Sequence, residues 1–362
     1  MNKTTKLGEE FKINLIKYSF SLFAVLLIGS LLIMAQGENP ITAVSSIFVG
    51  AFGSKVNFGN TLHWMAPCML VGTAALIAFR SGVMNLGLEG QIYFGALAAG
   101  LAGYMVELPP IIHPLFCIVV GGIAGMLWAL LPAILRLFFN ISEVISTLIL
   151  NYIAILLAEL FTILLMKFEK NMSVTNIATT KILDSARLLV LIKGTNATSA
   201  LIIAAVILVV VYLVYKYTVV GYELKQVGQN LKFAKIGGVN ASRVFISIFL
   251  ISGFIAGICG ATETIGVNYK FISRFSANLG WDGVMITRVA ANSPGGVAVV
   301  SFIWAAFKAG AMHMERNTVL NRYVINLLQA IFVLFISIDY KMLYTNYKER
   351  KFIKSQSLKE RD

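Results

Sequence analysis

Apolar residues in this chain come in long runs, with charge, proline and glycine gathered between them. A helix needs about 20 mostly apolar residues to cross roughly 30 Å of hydrocarbon. Nine runs approach or reach that length, near residues 15–35, 61–79, 88–106, 113–135, 144–166, 197–215, 244–262, 296–312 and 323–340. The stretch 281–292 is too short for an ordinary span, and charge decides how it is read. Both ends are basic, with Lys3, Lys6, Lys12 and Lys17 before the first run and seven Lys or Arg after Tyr340. Basic residues concentrate on the cytoplasmic side, so both ends belong inside and the number of crossings is even. Residues 281–292 then cross as part of a short or broken helix. The pattern predicts an all-α, polytopic membrane protein of about ten transmembrane helices with cytoplasmic termini. That arrangement puts eighteen Lys and Arg inside and ten outside.

The chain divides into a cytoplasmic tail at 1–14, a transmembrane domain at 15–340 and a basic cytoplasmic tail at 341–362. Within the membrane domain a basic loop at 216–243 lies inside. A loop at 167–195, long for a simple connection, lies outside. The first run reads as an uncleaved helix, because no small-x-small cleavage site precedes Gln36. Residues 41–60, with Gly50, Gly53 and Gly59, read as an interfacial segment. The pairs Gly121/Gly125 and Gly253/Gly257 lie inside spans, either as sites of close helix approach or as chance products of a chain with 30 Gly. Ile123-Ala124-Gly125 recurs as Ile255-Ala256-Gly257, a short hint of an inverted repeat.

Composition acts mainly by exclusion. With 58% hydrophobic and 13% charged residues, the chain departs from soluble proteins, in which about a quarter of residues are charged. The net charge of +13 does not point to nucleic acid, because the basic residues punctuate apolar runs instead of lining one surface. Cys68, Cys117 and Cys259 sit singly in apolar stretches, and His63, His113 and His313 are scattered, so no metal site is expected. No phosphate-loop or hydrolase motif occurs. If ATP is used, another subunit binds it, and this chain carries no cofactor of its own.

Four segments interrupt the apolar pattern with chemistry. Between Phe79 and Gln91 three glycines, Asn85 and Glu89 break the helix, and broken backbone at membrane depth is tolerated only where protein buries it or water lines it. The alternative is a cytoplasmic turn capped by Asn85. Glu143, Ser146, Thr147 and Asn151 share one helix face, as pathway lining or as interhelical glue. In residues 221–240, Leu224, Val227, Leu231 and Ala234 recur at helical spacing. They predict one amphipathic helix that either lies on anionic headgroups or docks a partner. The fourth segment carries Arg288, which inside a span needs a partner, with Asp282 and Glu263 as candidates.

In order along the chain, these segments resemble the permease subunits of ABC importers of the nucleoside and simple-sugar group, relatives of branched-chain amino-acid permeases. The family pattern Asn-x-Gly-x-Glu-Gly-Gln is present as Asn85-Leu86-Gly87-Leu88-Glu89-Gly90-Gln91. A second pattern is similar to residues 142–153, from Ser142-Glu143-Val144 through Asn151-Tyr152-Ile153. A third is similar to Gly221-Tyr222-Glu223-Leu224, Val227-Gly228-Gln229-Asn230, Ala234 and Gly238-Val239. The departure is at 287–293, where Thr287-Arg288 and Ala290-Ala291-Asn292-Ser293 replace a run of small apolar residues ending in Leu-Gly.

The resemblance implies a plasma-membrane subunit, not itself an enzyme, that forms the import path for a nucleoside or similar small polar solute. It implies three partners in the bilayer and beside it: a cytoplasmic ATPase, a second permease subunit of the same or a different chain, and an extracytoplasmic binding protein. The path would be shaped by Asn85, Glu89, Gln91, Ser146, Asn151 and Arg288. The ATPase would be met by Glu223, Leu224, Val227, Gly228, Asn230, Ala234 and Gly238. The competing reading is an ion-coupled transporter or channel, with Glu89, Glu159 and Glu263 as its ion-binding groups.

Overall fold

The computed structural model describes residues 19–166, apart from residue 22, and residues 177–338. The tails expected at 1–14 and 341–362, and residues 167–176 of the expected external loop, lie outside the described residues. Those described are helical almost throughout. In chain order the helices are α1 (Ser19–Ala35), α2 (Pro40–Phe52), α3 (Lys55–Arg80), α4 (Leu88–Met105), α5 (Ile112–Phe139), α6 (Glu143–Met166) and α7 (Ala200–Tyr217). They continue as α8 (Val219–Gln229), α9 (Leu231–Ile236), α10 (Ala241–Glu263), α11 (Leu279–Val289), α12 (Pro294–Asn317) and α13 (Tyr323–Ser337). Among the described residues six helices are long and apolar enough to cross a membrane, or seven if α1 and α2 make one span.

One element differs from the expected pattern, and another gains detail. Residues 41–60, read as an interfacial segment, are helical. They are α2 and the first turns of α3, with Ser54 accepting from the Asn57 N–H at 3.0 Å to cap α3. Two of the segment's glycines are packing positions: a Cβ on Gly50 would lie 2.3 Å from the His313 Cβ, and one on Gly59 2.5 Å from a Thr195 methyl. The helix expected over 221–240 is two, because Asn230 leaves helical geometry and accepts from the Phe233 N–H at 3.1 Å. It ends one helix and starts the next.

Residues 1–46 and 314–362 form one compact unit, residues 47–313 another. In the first, Phe20 of α1 meets Phe335 of α13 edge to face at 5.9 Å. Glu38 accepts from the Val319 N–H at 3.0 Å. In the second, α4, α5 and α10 meet backbone to backbone. A Cβ on Gly95 would come within 2.3 Å of the Gly257 carbonyl oxygen, one on Gly257 within 2.3 Å of that of Gly121, and one on Gly260 within 2.0 Å of that of Ile92. Gly125 and Gly253 close the same seam. The two GxxxG pairs therefore face each other, and small residues permit the contact.

The chain leaves α10 through a π-helical turn at Thr264–Asn268. It then passes several left-handed residues, Tyr269, Arg274, Ala277 and Asn278, before α11. The latter has 11 residues, about 16 Å of helix, the short helix read from 281–292. Thr287 of α11 donates to the Gly72 carbonyl of α3 at 2.8 Å, and Gly283 rests on the Val71 backbone. The described part of the loop at 167–195 has structure of its own. It bridges at Ala178 to Ile272 and at Val190 to Thr198. Leu183 N–H also donates to the Gly103 carbonyl at 2.9 Å.

Candidate functional site

α3 stops at Arg80, and the chain returns inward as seven non-helical residues before α4 starts at Leu88. Their polar groups do not face water. Asn85 is fully buried and works in four directions. Its Oδ1 accepts from the Gly87 N–H at 3.0 Å and from Gln91 Nε2 at 3.2 Å. Its Nδ2 donates to Gln91 Oε1 at 3.2 Å and to Ser252 Oγ at 2.9 Å. Ser252, on α10, donates in turn to the Ala74 carbonyl at 2.9 Å. The break therefore lies beside the interior of α3, about six residues above its end.

Asn151 reaches across from α6 and caps the new helix from outside it. Its Oδ1 accepts from the Gly90 N–H at 2.9 Å, and its Nδ2 donates to the Leu86 carbonyl at 2.8 Å. The Gly90 N–H is among the orphan donors that any helix start leaves, and the Leu86 carbonyl belongs to the turn just before it. Asn151→Ala would strand both in the interior at about 1–3 kcal/mol each. The expected result is a thermal midpoint several degrees lower for the detergent-purified protein, and an unchanged midpoint would show that Asn151 supports nothing.

Glu89, in the first turn of α4, is buried. It accepts from the Ser276 hydroxyl in a short hydrogen bond and from the Gly280 N–H at 2.7 Å. Gly280 is in the first turn of α11, so one carboxylate serves the N-terminal turns of two helices, where the helix dipole favours negative charge. A Cβ on Gly280 would sit 2.5 Å from the Glu89 nitrogen. On α6, Ser146 and Thr147 both donate to the Glu143 carbonyl, and Glu143 pairs with Arg136 at 3.2 Å. Glu159 is met by Ser273 and, at 3.6 Å, by Arg274.

The segment 216–243 touches this system directly. Thr218 caps α8 by accepting from the Gly221 N–H at 3.1 Å. Leu224 and Ala234 are buried, Glu223, Val227 and Gly228 half-buried, and Asn230 and Gly238 exposed. Gly238 has φ +81° and closes α9, with the Val239 N–H bonded to the Ala234 carbonyl at 3.0 Å. Gly228 lies on the Arg80–Gly82 backbone, and a Cβ there would fall 2.6 Å from the Arg80 carbonyl oxygen and 2.7 Å from the Ser81 carbonyl carbon. Tyr215 at the end of α7 holds the same turn: its hydroxyl donates to the Ile77 carbonyl at 3.1 Å and lies 3.0 Å from Ser81 Oγ.

Arg288 is paired otherwise than expected. It is exposed, at the last turn of α11, with its guanidinium 5.2 Å from the Phe79 ring centre. Asp282 lies near the other end of the helix and pairs with Lys308 at 2.6 Å. An arginine near a helix end can snorkel, so it needs no buried carboxylate. The sequence reading passed over Lys308, Trp64 and Trp304. The available signal was Lys308 itself, a lone cation inside an apolar run.

The chain matches the family described as branched-chain amino acid transport system, permease component, over residues 57–336. It is similar to the guanosine ABC transporter permease protein NupP of Bacillus subtilis, 27% identical over 89% of this chain and 93% of that one. It is also similar to the nucleoside ABC transporter permease protein NupB of Lactococcus lactis, 28% identical over 87% of this chain and 88% of that one. The glucose ABC transporter permease protein TsgB13 of Haloferax volcanii is 26% identical over 87% of this chain and 85% of its own length. No solved structure matches the chain. With a family match that takes in most of the sequence and a run of apolar helices to carry it, the chain belongs to the branched-chain amino acid transport system permease components, as an ABC-importer permease that passes several times through the plasma membrane.

Proposed function

We propose that this permease moves a nucleoside, or a similar small polar solute, inward by alternating access, driven by ATP hydrolysed on a separate cytoplasmic subunit. The reading adds α1, the short α11, α13 and the more polar α4 to the long spans, for ten crossings and cytoplasmic ends. Segments 1–14, 216–243 and 341–362 then face the cytoplasm and 167–195 faces outside. A second permease chain completes the path, and an extracytoplasmic binding protein delivers the solute. Relatives named for guanosine and nucleoside transport support the solute class.

The observation that carries this reading is the seat of Gly228 on the Arg80–Gly82 turn. A push on α8 reaches the break between α3 and α4 with no side chain between them. From there the Asn85–Gln91 pair, the Asn151 cap and the Glu89 junction lead to α10, α6 and α11. These residues shape the path by fixing backbone rather than by pointing free polar atoms into it. Tyr222, Phe233 and Ile236 remain exposed on the same internal segment, as a docking surface requires. The test is purification from native membranes in mild detergent. A saturable ATPase should come with the chain and be lost when Tyr222, Phe233 and Ile236 are replaced together by serine. A well-folded chain that purifies alone and takes up solute without ATP would overturn the reading.

A further inference from the structure

Trp304 and Lys308 stand one turn apart on α12 and so share a face. Asp282, in the first turn of α11, meets both. Lys308 Nζ lies 2.6 Å from its carboxylate, and Trp304 Nε1 donates to Oδ1 at 3.0 Å. Trp64 of α3 completes the group, its ring centre 5.0 Å from Lys308 Nζ. An ion pair in such a setting is a poor way to gain stability, because desolvation can exceed the attraction and apolar side chains would pack as well. Ionisable groups inside membrane domains mark solute pathways. The pair is also not sealed: Trp304 is 1% exposed, yet both charged side chains keep 11% of their surface accessible.

The charges around the pair select the solute. Glu89 and Glu263, both buried, are electrostatic neighbours of Lys308. An anionic solute brought here would meet three carboxyl groups and one ammonium. An uncharged solute with hydroxyl groups meets no such penalty. Two neighbouring hydroxyls can donate to one carboxylate and accept from the ammonium, while an indole face offers a flat apolar surface.

We propose that the Asp282–Lys308 pair, flanked by Trp64 and Trp304, is a solute subsite that reads the neighbouring hydroxyls of a ribosyl group. The proposal rests on the nucleoside reading above. Its test is uptake of guanosine and of 2′,3′-dideoxyguanosine by the complete transporter in proteoliposomes, wild type against Asp282→Asn, Lys308→Gln and the double variant. The expected result is a wild-type preference for guanosine that falls about tenfold or more in each single variant, as when a group built to bind a hydroxyl is lost. Dideoxyguanosine uptake changes little, and the double variant does not regain the preference. Should a single variant fail to accumulate, the double variant, which leaves no unpaired charge, gives the same ratio. Recovery of the wild-type preference in the double variant, or equal losses for both solutes, would overturn the subsite and leave a structural ion pair. Wild-type uptake of neither nucleoside overturns the nucleoside reading itself, and the ratio between ribose and 2-deoxyribose then decides the subsite.

Discussion

Gly228→Val is expected to lower solute uptake sharply while the protein still accumulates in the membrane. The substituted side chain has no room, since its first carbon alone would fall 2.6 Å from the Arg80 carbonyl oxygen. What it meets is backbone, which cannot rotate aside. Overpacking of this kind costs about 1–3 kcal/mol, and α8 can escape most of it by lifting off the Arg80–Gly82 turn. Movement of α8 would then no longer reach that turn. Uptake by reconstituted transporter should fall at least about tenfold, with ATP hydrolysis persisting, since a misplacement of about 1 Å can cost a hundredfold in a mechanism that depends on position. Gly237→Ala is the control, because a Cβ there makes only ordinary contacts, the nearest at 3.4 Å. Near-normal uptake by Gly228→Val would remove the seat of α8 from the mechanism.

Gly257→Leu should have the larger effect on folding. Gly257 sits where α5 and α10 touch, with the Gly121 carbonyl oxygen 2.3 Å from its ideal Cβ position. Gly95 and Gly125 in turn approach its own backbone. A leucine would have to part α5 from α10, and α4 packs against the same stretch of backbone. In lipid, tight packing of small residues is a main source of helix association, so no equivalent apolar contact replaces the seam. Folded protein recovered after mild detergent extraction should drop to background, as read by size-exclusion profile. Ile123→Leu, a substitution at an exposed position between the seam glycines but on the other face of α5, should leave the profile unchanged.

The long spans were legible because crossing hydrocarbon demands length and apolarity, and both are written locally. The short helix within residues 281–292 was read for a different reason: cytoplasmic placement of both ends would require one more crossing there. Asn85, Glu89, Gln91 and Asn151 stood out as polar residues in apolar surroundings. That they bond to one another, to Ser252 and to Gly280 was not readable, since spacing along one helix says nothing about its neighbours. The same gap misdirected Asp282, expected beside Arg288 six residues on and found beside Lys308 on the next helix. At 41–60 the pattern showed Gly50 and Gly59 but not that they serve as surfaces for close contact. Asn230 looked like part of a continuous amphipathic stripe, because Leu224, Val227, Leu231 and Ala234 keep helical register across it. Its capping of α9 is a choice of backbone geometry that the apolar pattern does not record.

The carboxylate shared by α4 and α11 also bears on how the chain is made. Glu89 waits for Ser276 and Gly280, 187 and 191 residues downstream. At 5–20 residues per second, ribosomes take roughly 10–40 s to cover that interval. During that time α3, α4 and α5 have emerged, with the start of α4 lacking its α11 partners and facing lipid, water or the insertion machinery. The early helices cannot settle into their final arrangement before the late half-helix arrives. A nascent chain cut short before Gly280 therefore leaves an acidic helix start without its α11 partners.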